Sequence, residues 1–377
     1  DGNLWVMCRM LMGSSPSAEI CQDALYIFCM VVNSIFQRRH KSWCPPEWCI
    51  YIDGIMVVHE KADAVRCWVK IALEVAKEVN FTFKEDKSNL LREPQQSFVF
   101  CGQVLDLVNK SVALPAKTLK KLEAALLVLQ LGNRITMSEA ASLMGVVIWA
   151  SRVLRYPPAN HFTVMKWYRR RCAEVARISQ KVLWWETAKA DFTNWINALL
   201  QSHQVTINRP HKTRWSLYTD ASTTGFGAIL ADEDGRVYVF QGKWQRKVSH
   251  REICRLECEA AARAIAHFKE ALKEEGFHER NVTLVIDNLG LKGAILRGMS
   301  PDYDINERLR VMYGNVAFVA DVRSHEMVAD APSRGLPIDI DEIQTRLRQL
   351  NYRPAIFVAW QWEPRSGKPN ASTFGRR

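Results

Sequence analysis

Four carboxylates in the second half of the 377-residue sequence lie where predicted elements end or begin. Asp220 and Asp287 each close a run of apolar residues typical of a buried strand. Glu257 lies in the first turns of an alanine-rich helix, and Asp330 comes shortly after another apolar strand. Singly, each has an ordinary role, such as a solvated helix face, an Asx turn or a helix cap. Together they give the order strand Asp, helix Glu, strand Asp, helix Asp.

That order resembles the ribonuclease H family. The family's motifs occur here in sequence, as Thr219-Asp220-Ala221-Ser222, Leu256-Glu257, Ile286-Asp287-Asn288 and Ala329-Asp330-Ala331-Pro332-Ser333-Arg334. The resemblance implies that Asp220, Glu257, Asp287 and Asp330 are the catalytic residues and hold two Mg²⁺ ions. Such hard cations take oxygen ligands, and a pair about 3.5–4 Å apart can clamp both oxygens of a phosphodiester displacement. The implied reaction is hydrolysis of the RNA strand of an RNA–DNA hybrid.

Neighbouring residues leave some assignments open. Glu259 is the alternative to Glu257, because on an ideal helix the two are about 200° apart and only one can face the site. Many family members carry a loop histidine before the last Asp, and Ala320 occupies that position here. His325 stands nearer to Asp330, either as a substitute or as a surface histidine. His250, ahead of the helix with Glu257, is interpreted as structural.

The elements that must position these carboxylates predict an α/β and α+β protein. Residues 211–335 are expected to form a ribonuclease H-like domain with a mixed five-stranded sheet and helices. Residues 1–112 are expected to form a partial reverse-transcriptase palm, and residues 113–210 a helical thumb or connection. Residues 336–377 are expected to be a tail with one short helix, partly disordered.

The palm prediction comes from motifs that resemble those of reverse transcriptases. A helix motif spans residues 9–22, with Leu11-Met12-Gly13 at its start, and Lys87-Ser88 follows where a lysine motif is expected. Between them, Trp48 to Val58 is predicted to form two strands around a tight Asp-Gly turn. Two further strand-like pieces are predicted at Phe81–Phe83 and Phe98–Gly102.

Within that hairpin, Tyr51, Asp53 and Gly54 occupy the positions of the family's Tyr-x-Asp-Asp motif. Gly54 replaces the second Asp, and the Asp of an earlier strand is expected to be missing because the polymerase part is truncated at its N-terminus. One carboxylate cannot hold two Mg²⁺ ions and a triphosphate in register. The chain is therefore expected to lack polymerase activity.

A basic helix with interleaved aromatics is predicted from about Val164 to Lys181. It carries Lys166, Arg169, Arg170 and Arg171, which are expected to bind nucleic acid together with Asn288; a solvated helix face is the open alternative for the helix. Ahead of it, Thr136 to Glu139 is predicted to be a capping box. Trp184, Trp185 and Trp195 are expected to be packing anchors.

Charge is unevenly distributed along the chain. Residues 1–210 carry 26 basic and 18 acidic side chains, a net charge of +8. Residues 211–335 carry 18 of each, and the remaining residues carry 7 basic and 4 acidic, which completes the total of +11. The first half is therefore the expected contact surface for a polyanion such as an RNA–DNA hybrid.

Ten cysteines are scattered without the spacing of a zinc site. This pattern favours reduced thiols and an intracellular protein, cytoplasmic or nuclear. No uninterrupted apolar run is long enough to predict a membrane span. The oligomeric state is left open.

Two other functions compete with the nuclease. A decayed or domesticated copy would bind nucleic acid or protein without cutting, and a transposase or integrase core would use the same fold. Among retroelements, the helix with Glu257 and the motif around Asp330 look most like those of the tyrosine-recombinase group (DIRS/VIPER-type). The gypsy and BEL groups are the alternatives.

Overall fold

The computed structural model describes residues 17–83, 93–206, 213–246, 248–277, 282–313 and 316–352. The chain divides into two compact units, Asp1–Pro115 and Ala116–Arg377. Each unit has its own helices and strands, and the carboxylates of interest lie in the second.

The first unit packs two long helices against a two-stranded hairpin. Its elements are α1 (Ser17–Arg39), β1 (Glu47–Tyr51), β2 (Gly54–Val58), α2 (Ala62–Glu78), β3 (Ser97–Phe100), β4 (Gln103–Asp106) and β5 (Ser111–Ala113). Strands β1 and β2 are antiparallel, and so are β3, β4 and β5 in sequence order. Val32 and Phe36 of α1 pack against Trp68 and Ile71 of α2 in the core. The indole of Trp68 also donates to the Asn33 side chain (2.6 Å).

Among the described residues, α1 is the one helix that is long and apolar enough by length and composition to cross a membrane. A core helix of a globular unit passes the same test. One face of α1, including Phe28, Cys29 and Val32, is buried against the rest of the unit, whereas Ile27 and Met30 are exposed.

Three expectations for the palm region meet different outcomes. The turn of the hairpin is formed by Ile52 and Asp53 rather than by Asp53 and Gly54, because Tyr51 pairs with Gly54. Phe81–Phe83 is not a strand: the Phe81 N–H bonds back to the Ala76 carbonyl and closes the end of α2. The Leu-Met-Gly and Lys-Ser motifs lie outside the described residues.

The second unit begins with a helical segment. Its elements are α3 (Ala116–Leu131), β6 (Arg134–Thr136), α4 (Met137–Val153), α5 (Phe162–Glu174), β7 (Lys181–Leu183), α6 (Glu186–Gln201) and β8 (Gln204–Thr206). The capping box is confirmed, since Thr136 and Glu139 exchange both hydrogen bonds at the start of α4. Trp184 and Trp195 are buried, as expected of packing anchors, and Trp184 stacks on Trp167 with ring centroids 3.7 Å apart.

The basic helix is shorter than predicted. It ends at Glu174, where Val175 turns to extended backbone, and Lys181 belongs to strand β7. The prediction that the helix continues to Lys181 was wrong, because the residues after Glu174 bond to the segment around the start of α4 instead. The Ser138 N–H donates to the Ile178 carbonyl, and Lys181 pairs with Thr136 in the β6–β7 ladder. All four basic residues nevertheless lie on the helix.

The rest of the second unit contains the five-stranded sheet. Its elements are β9 (Trp215–Ala221), β10 (Gly225–Asp232), β11 (Val237–Lys243), α7 (Ile253–Ala271), β12 (Val282–Ile286), α8 (Leu289–Arg297), α9 (Tyr303–Met312), β13 (Phe318–Asp321), α10 (Asp330–Ser333) and α11 (Ile340–Tyr352). The strand order is β11-β10-β9-β12-β13. The first three strands are antiparallel neighbours, whereas β12 runs parallel to both β9 and β13. The predicted mixed sheet with helices is confirmed.

Helices cover both faces of this sheet. Leu217 and Leu284 face helix α7, where Ala261 and Ala264 let the helix approach closely. Tyr218 and Val285, one residue further along, belong to the opposite core with Ile343 and Leu347 of α11. This alternation is the period of two expected of strands buried on both sides.

The helical segment and the sheet are packed together within the second unit. Ala159 lies in the core between sheet and helices, and its N–H donates to the Gly298 carbonyl (2.9 Å). Arg169 on α5 donates to the Pro301 carbonyl (3.2 Å). These contacts place the basic helix beside the segment that leads into α9.

Candidate metal centre

Two neighbouring strands bring Asp220 and Asp287 to one edge of the sheet. Strands β9 and β12 are parallel and pair Tyr218 with Val285. Counting two residues on from that pair sets Asp287 level with Asp220, at the carboxyl ends of both strands. Each carboxylate is therefore held by a strand that is buried in the core just before it.

Helix α7 supplies the third carboxylate. Ligand oxygens of Asp220, Glu257 and Asp287 all lie within 4.8 Å of one another. Asp220 and Glu257 are buried, and Asp287 is half-buried. Glu259 points elsewhere, since it accepts hydrogen bonds from Arg263 and Arg308. The structure therefore brings Glu257, not Glu259, to the cluster.

Asp330 is close to this cluster but is not part of it. Its Oδ1 accepts a hydrogen bond from Arg334 Nε (2.9 Å) and forms an ion pair with a terminal nitrogen of the same guanidinium (2.8 Å), and its side chain is 44% exposed. Its charge still contributes to raising the pKa of Asp220. Three of the four predicted ligands converge in the described part of the chain, with the fourth beside them.

The cluster strongly perturbs the protonation of two of its members. Burial, and then the negative charges of Asp287 and Asp220, raise the pKa of Glu257 to about 8, and the side chain of Asn288 opposes this rise. Burial also raises the pKa of Asp220 to about 6, with Asp287 and Asp330 adding to the effect and a hydrogen bond from Ser333 opposing it. Like charges crowded in a low-dielectric site cannot all ionise without a counter-ion.

The donor set fits a divalent cation. Oε2 of Glu257 is buried and has no hydrogen-bond partner among the described residues. A buried carboxylate oxygen without a partner is costly. Three carboxylates with an unsatisfied oxygen between them are the oxygen-rich environment that Mg²⁺ or Mn²⁺ requires.

Sequence reasoning missed Ser333 as part of this site. Its hydroxyl is buried and donates to Oδ2 of Asp220 (2.5 Å). The available signal was the position of Ser333 one helical turn after Asp330, which places both on one side of a helix. The other predicted neighbours are peripheral: His325 is exposed, and Ala320 lies in strand β13.

Asn288 has a structural role at the cluster. Its side chain accepts from the Leu291 N–H (2.9 Å) and caps helix α8. Because it directly follows Asp287, the cap also fixes the path of the chain as it leaves strand β12. The expectation that Asn288 contacts nucleic acid remains a prediction.

The four cations of the basic helix α5 differ in how far they are engaged by other groups of the protein. Arg169 is held by the Pro301 carbonyl, and burial lowers its pKa. Arg171 pairs with Glu174, and the guanidiniums of Arg170 and Arg171 lie 5.4 and 5.7 Å from the Trp185 ring centroid. No carboxylate in the described part of the chain pairs with Lys166 or Arg170. Trp185, predicted to be a packing anchor, is half-buried and is a cation–π partner of both arginines.

A shallow cleft lies along that helix. It has a volume of about 350 Å³ and is lined by Phe162, Lys166, Arg169, Arg170, Ala173 and Pro301. Asp302, the residue after Pro301, accepts a hydrogen bond from Arg255 at the start of α7 (2.5 Å). The cleft is therefore linked through two side-chain contacts to the helix that carries Glu257.

The turn of the β1–β2 hairpin, predicted from the sequence to be a palm motif, holds a single carboxylate. Tyr51 is 56% exposed and Asp53 is also exposed at the hairpin turn. Asp53 is not part of any cluster of three metal-ligating side chains in the described ranges. Ile52 adopts the left-handed conformation (φ 53°), which is unusual for a β-branched residue.

Comparison with solved structures gives matches of low similarity. A foamy viral protease–reverse transcriptase in complex with double-stranded DNA matches with a TM-score of 0.39 and 9% identity, over 81% of this chain and 49% of the other. A foamy viral protease–reverse transcriptase in complex with an RNA/DNA hybrid matches with a TM-score of 0.35 and 11% identity, over 84% and 39%. This chain thus spans half or less of the length of those two proteins.

Comparison at the level of sequence is more local. No curated protein matches this sequence. Residues 184–278 match the model of the RNase H-like domain found in reverse transcriptase. That segment contains Asp220 and Glu257 and stops before Asp287. The part of the chain that holds the first two carboxylates is therefore similar to the RNase H-like domain of reverse transcriptases.

Proposed function

We propose that this chain is a reverse transcriptase–ribonuclease H fragment of a retroelement and that it hydrolyses the RNA strand of RNA–DNA hybrids. The observation that carries the proposal is the convergence of Asp220, Glu257 and Asp287 within 4.8 Å, with one buried oxygen of Glu257 unpartnered. The match of residues 184–278 to the RNase H-like domain of reverse transcriptase supports the same assignment.

Three residues would hold the metal, with Asp330 as a fourth ligand after release from Arg334. When bound, a pair of Mg²⁺ ions supplies an activated water and charge stabilisation for the leaving 3′-oxygen. The protein's own contribution is orientation, because rigid strands fix two carboxylates and a buried helix fixes the third. Burial of Asp220 and Glu257 excludes bulk water from one side of the cluster, so its charges interact more strongly.

Nucleic acid would reach this centre along the basic helix α5. Lys166 and Arg170 are exposed and lack carboxylate partners in the described ranges, so their charges are available to phosphates. Arg169 and Arg171 are already engaged within the protein and would contribute less. The RNA strand would be distinguished from DNA through its 2′-hydroxyls.

Further parts of the proposal concern the rest of the chain. The single carboxylate at Asp53 supports the absence of polymerase activity, and a primer-extension assay tests it: DNA synthesis by the purified chain would contradict this part. Among retroelements we propose the tyrosine-recombinase (DIRS/VIPER-type) group. The scattered thiols, all free among the described residues, support an intracellular location, cytoplasmic or nuclear.

The decisive experiment is cleavage of an end-labelled RNA annealed to DNA. We expect wild-type protein to cleave the RNA with Mg²⁺ and not with EDTA. Asp287→Asn should lower the rate on the order of 100-fold or more, since metal-dependent stabilisation is worth several kcal/mol. Glu270→Gln is a matched control, because Glu270 is an exposed acid on α7 outside the cluster.

The same assay separates the main alternative, a protein that binds nucleic acid without cutting it. The ion pair between Asp330 and Arg334 favours that alternative, because it withholds the fourth carboxylate from the cluster. Hybrid binding without cleavage by either wild type or Asp287→Asn would establish the binding protein and reject the nuclease.

A further inference from the structure

Helix α10 is joined to the carboxylate cluster through a single buried serine. Ser333 is 1% exposed, and its hydroxyl donates to Oδ2 of Asp220 (2.5 Å). The same hydroxyl lies 2.8 Å from the Asp330 carbonyl oxygen. A hydroxyl has one proton, so it can donate to only one of these acceptors at a time. An ionised carboxylate is the stronger acceptor, which favours Asp220 whenever that residue is charged.

The backbone around Ser333 is fixed by a second serine and by glycines on the neighbouring strand. Ser222, two residues after Asp220, donates through its hydroxyl to the Ser333 carbonyl (2.7 Å). Gly227 pairs with Asp220 in the β9–β10 ladder. A Cβ on Gly227 would lie 2.5 Å from the Ser333 nitrogen and 2.7 Å from the Ala329 carbonyl oxygen. Helix α10 therefore rests directly on strand β10, in contact with the backbone.

We infer that Ser333 is a positioning residue that orients the Asp220 carboxylate for metal binding and holds Asp330 beside the cluster. This inference rests on the proposed metal-dependent function. A carboxylate has two oxygens and about four acceptor sites, so the bond from Ser333 fixes one oxygen and leaves capacity for a cation. Asp330 begins the helix that Ser333 ends, and the two are three residues apart on one side of it. The position of Ser333 therefore also determines the position of Asp330.

Calorimetric titration with Mn²⁺ tests this role without relying on catalysis. We expect Ser333→Ala to weaken Mn²⁺ binding about 10–100-fold, the usual effect of removing a partner that orients a metal ligand. Ser151→Ala is the matched control, because Ser151 is also a buried serine whose hydroxyl donates to a backbone carbonyl, that of Val147, but it lies on helix α4 and contacts no carboxylate of the cluster. We expect its Mn²⁺ affinity to stay close to that of the wild type.

The outcomes separate a positioning role from a packing role. Packing alone would lower the melting temperature of both variants and leave their Mn²⁺ affinities equal to that of the wild type, which would overturn the inference. If Ser333→Ala does not fold, Ser333→Cys takes its place, since a thiol fills the space but is a weak donor. Wild-type affinity in that variant would equally overturn the inference.

Cleavage of the hybrid by the wild type is measured alongside and judges the proposed function separately. Mn²⁺ binding without cleavage would reject the nuclease while the serine variants still decide the role of Ser333. Cleavage with equal Mn²⁺ affinity in all three proteins would reject only the role of Ser333. Absence of Mn²⁺ binding by the wild type would overturn both.

Discussion

The carboxylates of Glu257 and Asp220 meet within 4.8 Å although one lies on a helix and the other on a strand. Burial raises the pKa of both carboxyl groups, and the negative charge of Asp220 raises the pKa of Glu257 further. In the unfolded chain such groups titrate near pH 4. Folding without metal therefore takes up protons, and the cluster couples the stability of the domain to pH.

The sign of this coupling follows from the direction of the shifts. Both folded-state pKa values are raised, so the folded protein binds more protons than the unfolded chain between about pH 4 and pH 8. The contribution of Asp220 and Glu257 to stability is complete below pH 4 and is lost as the pH rises through 6 and then 8. We expect the metal-free melting temperature to fall over this range, and Glu257→Gln to remove most of the fall. A wild-type profile unchanged by Glu257→Gln would contradict the shifts.

The salt dependence of hybrid binding tests the proposal that nucleic acid binds along helix α5. Each phosphate contact contributes roughly 0.7–0.9 to the slope of log affinity against log salt. Lys166→Ala with Arg170→Ala should therefore reduce the slope by about 1.4–1.8, measured by fluorescence anisotropy in Ca²⁺ to prevent cleavage.

The matched control for this experiment is the pair Lys120→Ala and Lys121→Ala. These two lysines are exposed on helix α3, and their substitution removes the same net charge from the same unit. An equal loss of slope in both double variants would show that overall charge, not the cleft beside Pro301, governs binding.

Two glycines allow a direct test of how closely α10 approaches the sheet. Gly227→Ala places a methyl group against backbone atoms of Ser333 and Ala329, which cannot yield as a flexible side chain can. We expect a loss of about 1–3 kcal/mol in unfolding free energy, the usual effect of overpacking. Gly145→Ala serves as the comparison, since its new methyl meets nothing within 4 Å.

The comparison variant should change stability in the opposite direction. Gly145 lies in the middle of helix α4, where alanine is more favourable than glycine by about 0.5–1 kcal/mol. Denaturant unfolding of the two variants measures both effects. A Gly227→Ala protein as stable as the wild type would show that α10 can move away from strand β10.

The strained turn of the β1–β2 hairpin provides a prediction for the first unit. Ile52 has a φ of 53°, a conformation that costs a non-glycine residue roughly 1–2 kcal/mol. Its side chain is 38% exposed, so the apolar burial that truncation removes offsets part of the gain from relieving this strain. We expect Ile52→Gly to raise the unfolding free energy by about 0.5–1 kcal/mol.

Ile50→Gly is the control for that substitution. Ile50 lies in strand β1 and packs in the core of the first unit, so glycine there removes both side-chain packing and strand preference. Its unfolding midpoint should fall. A fall of similar size in Ile52→Gly would mean that the turn is not strained.

Much of the sheet domain could be predicted because each local pattern agrees with the final contacts. The strands that carry Asp220 and Asp287 are mostly apolar, with only Ser216, Thr219 and Thr283 as polar residues before the carboxylates, and such runs indicate strands buried on both faces. The resemblance favoured Glu257, but excluding Glu259 required the structure, because it depends on where Arg263 and Arg308 lie in space. The same holds for Ser333, whose partner is distant in the chain.

The failures of prediction also have local causes. Phe81–Phe83 has the composition of a strand, but Asn80 adopts a left-handed conformation and the chain folds back onto α2. The hairpin turn was displaced by one residue because an Asp-Gly pair is a strong turn signal, whereas the register places the turn at a strained isoleucine. In both places a residue in the left-handed conformation, Asn80 or Ile52, redirects the backbone.

The order of strands in the sheet has a consequence for how the domain is made. Strands β9, β10 and β11 are joined by short turns and can assemble as soon as they are synthesised, since local contacts form fastest. Asp287 arrives only with the parallel strand that follows a long crossover, and Asp330 and Ser333 come later still. A chain still emerging from the ribosome thus has its first acidic residue in place but not its last. The proposed metal site is therefore complete only once translation has passed Ser333, and the proposed cleavage would report on complete synthesis and folding.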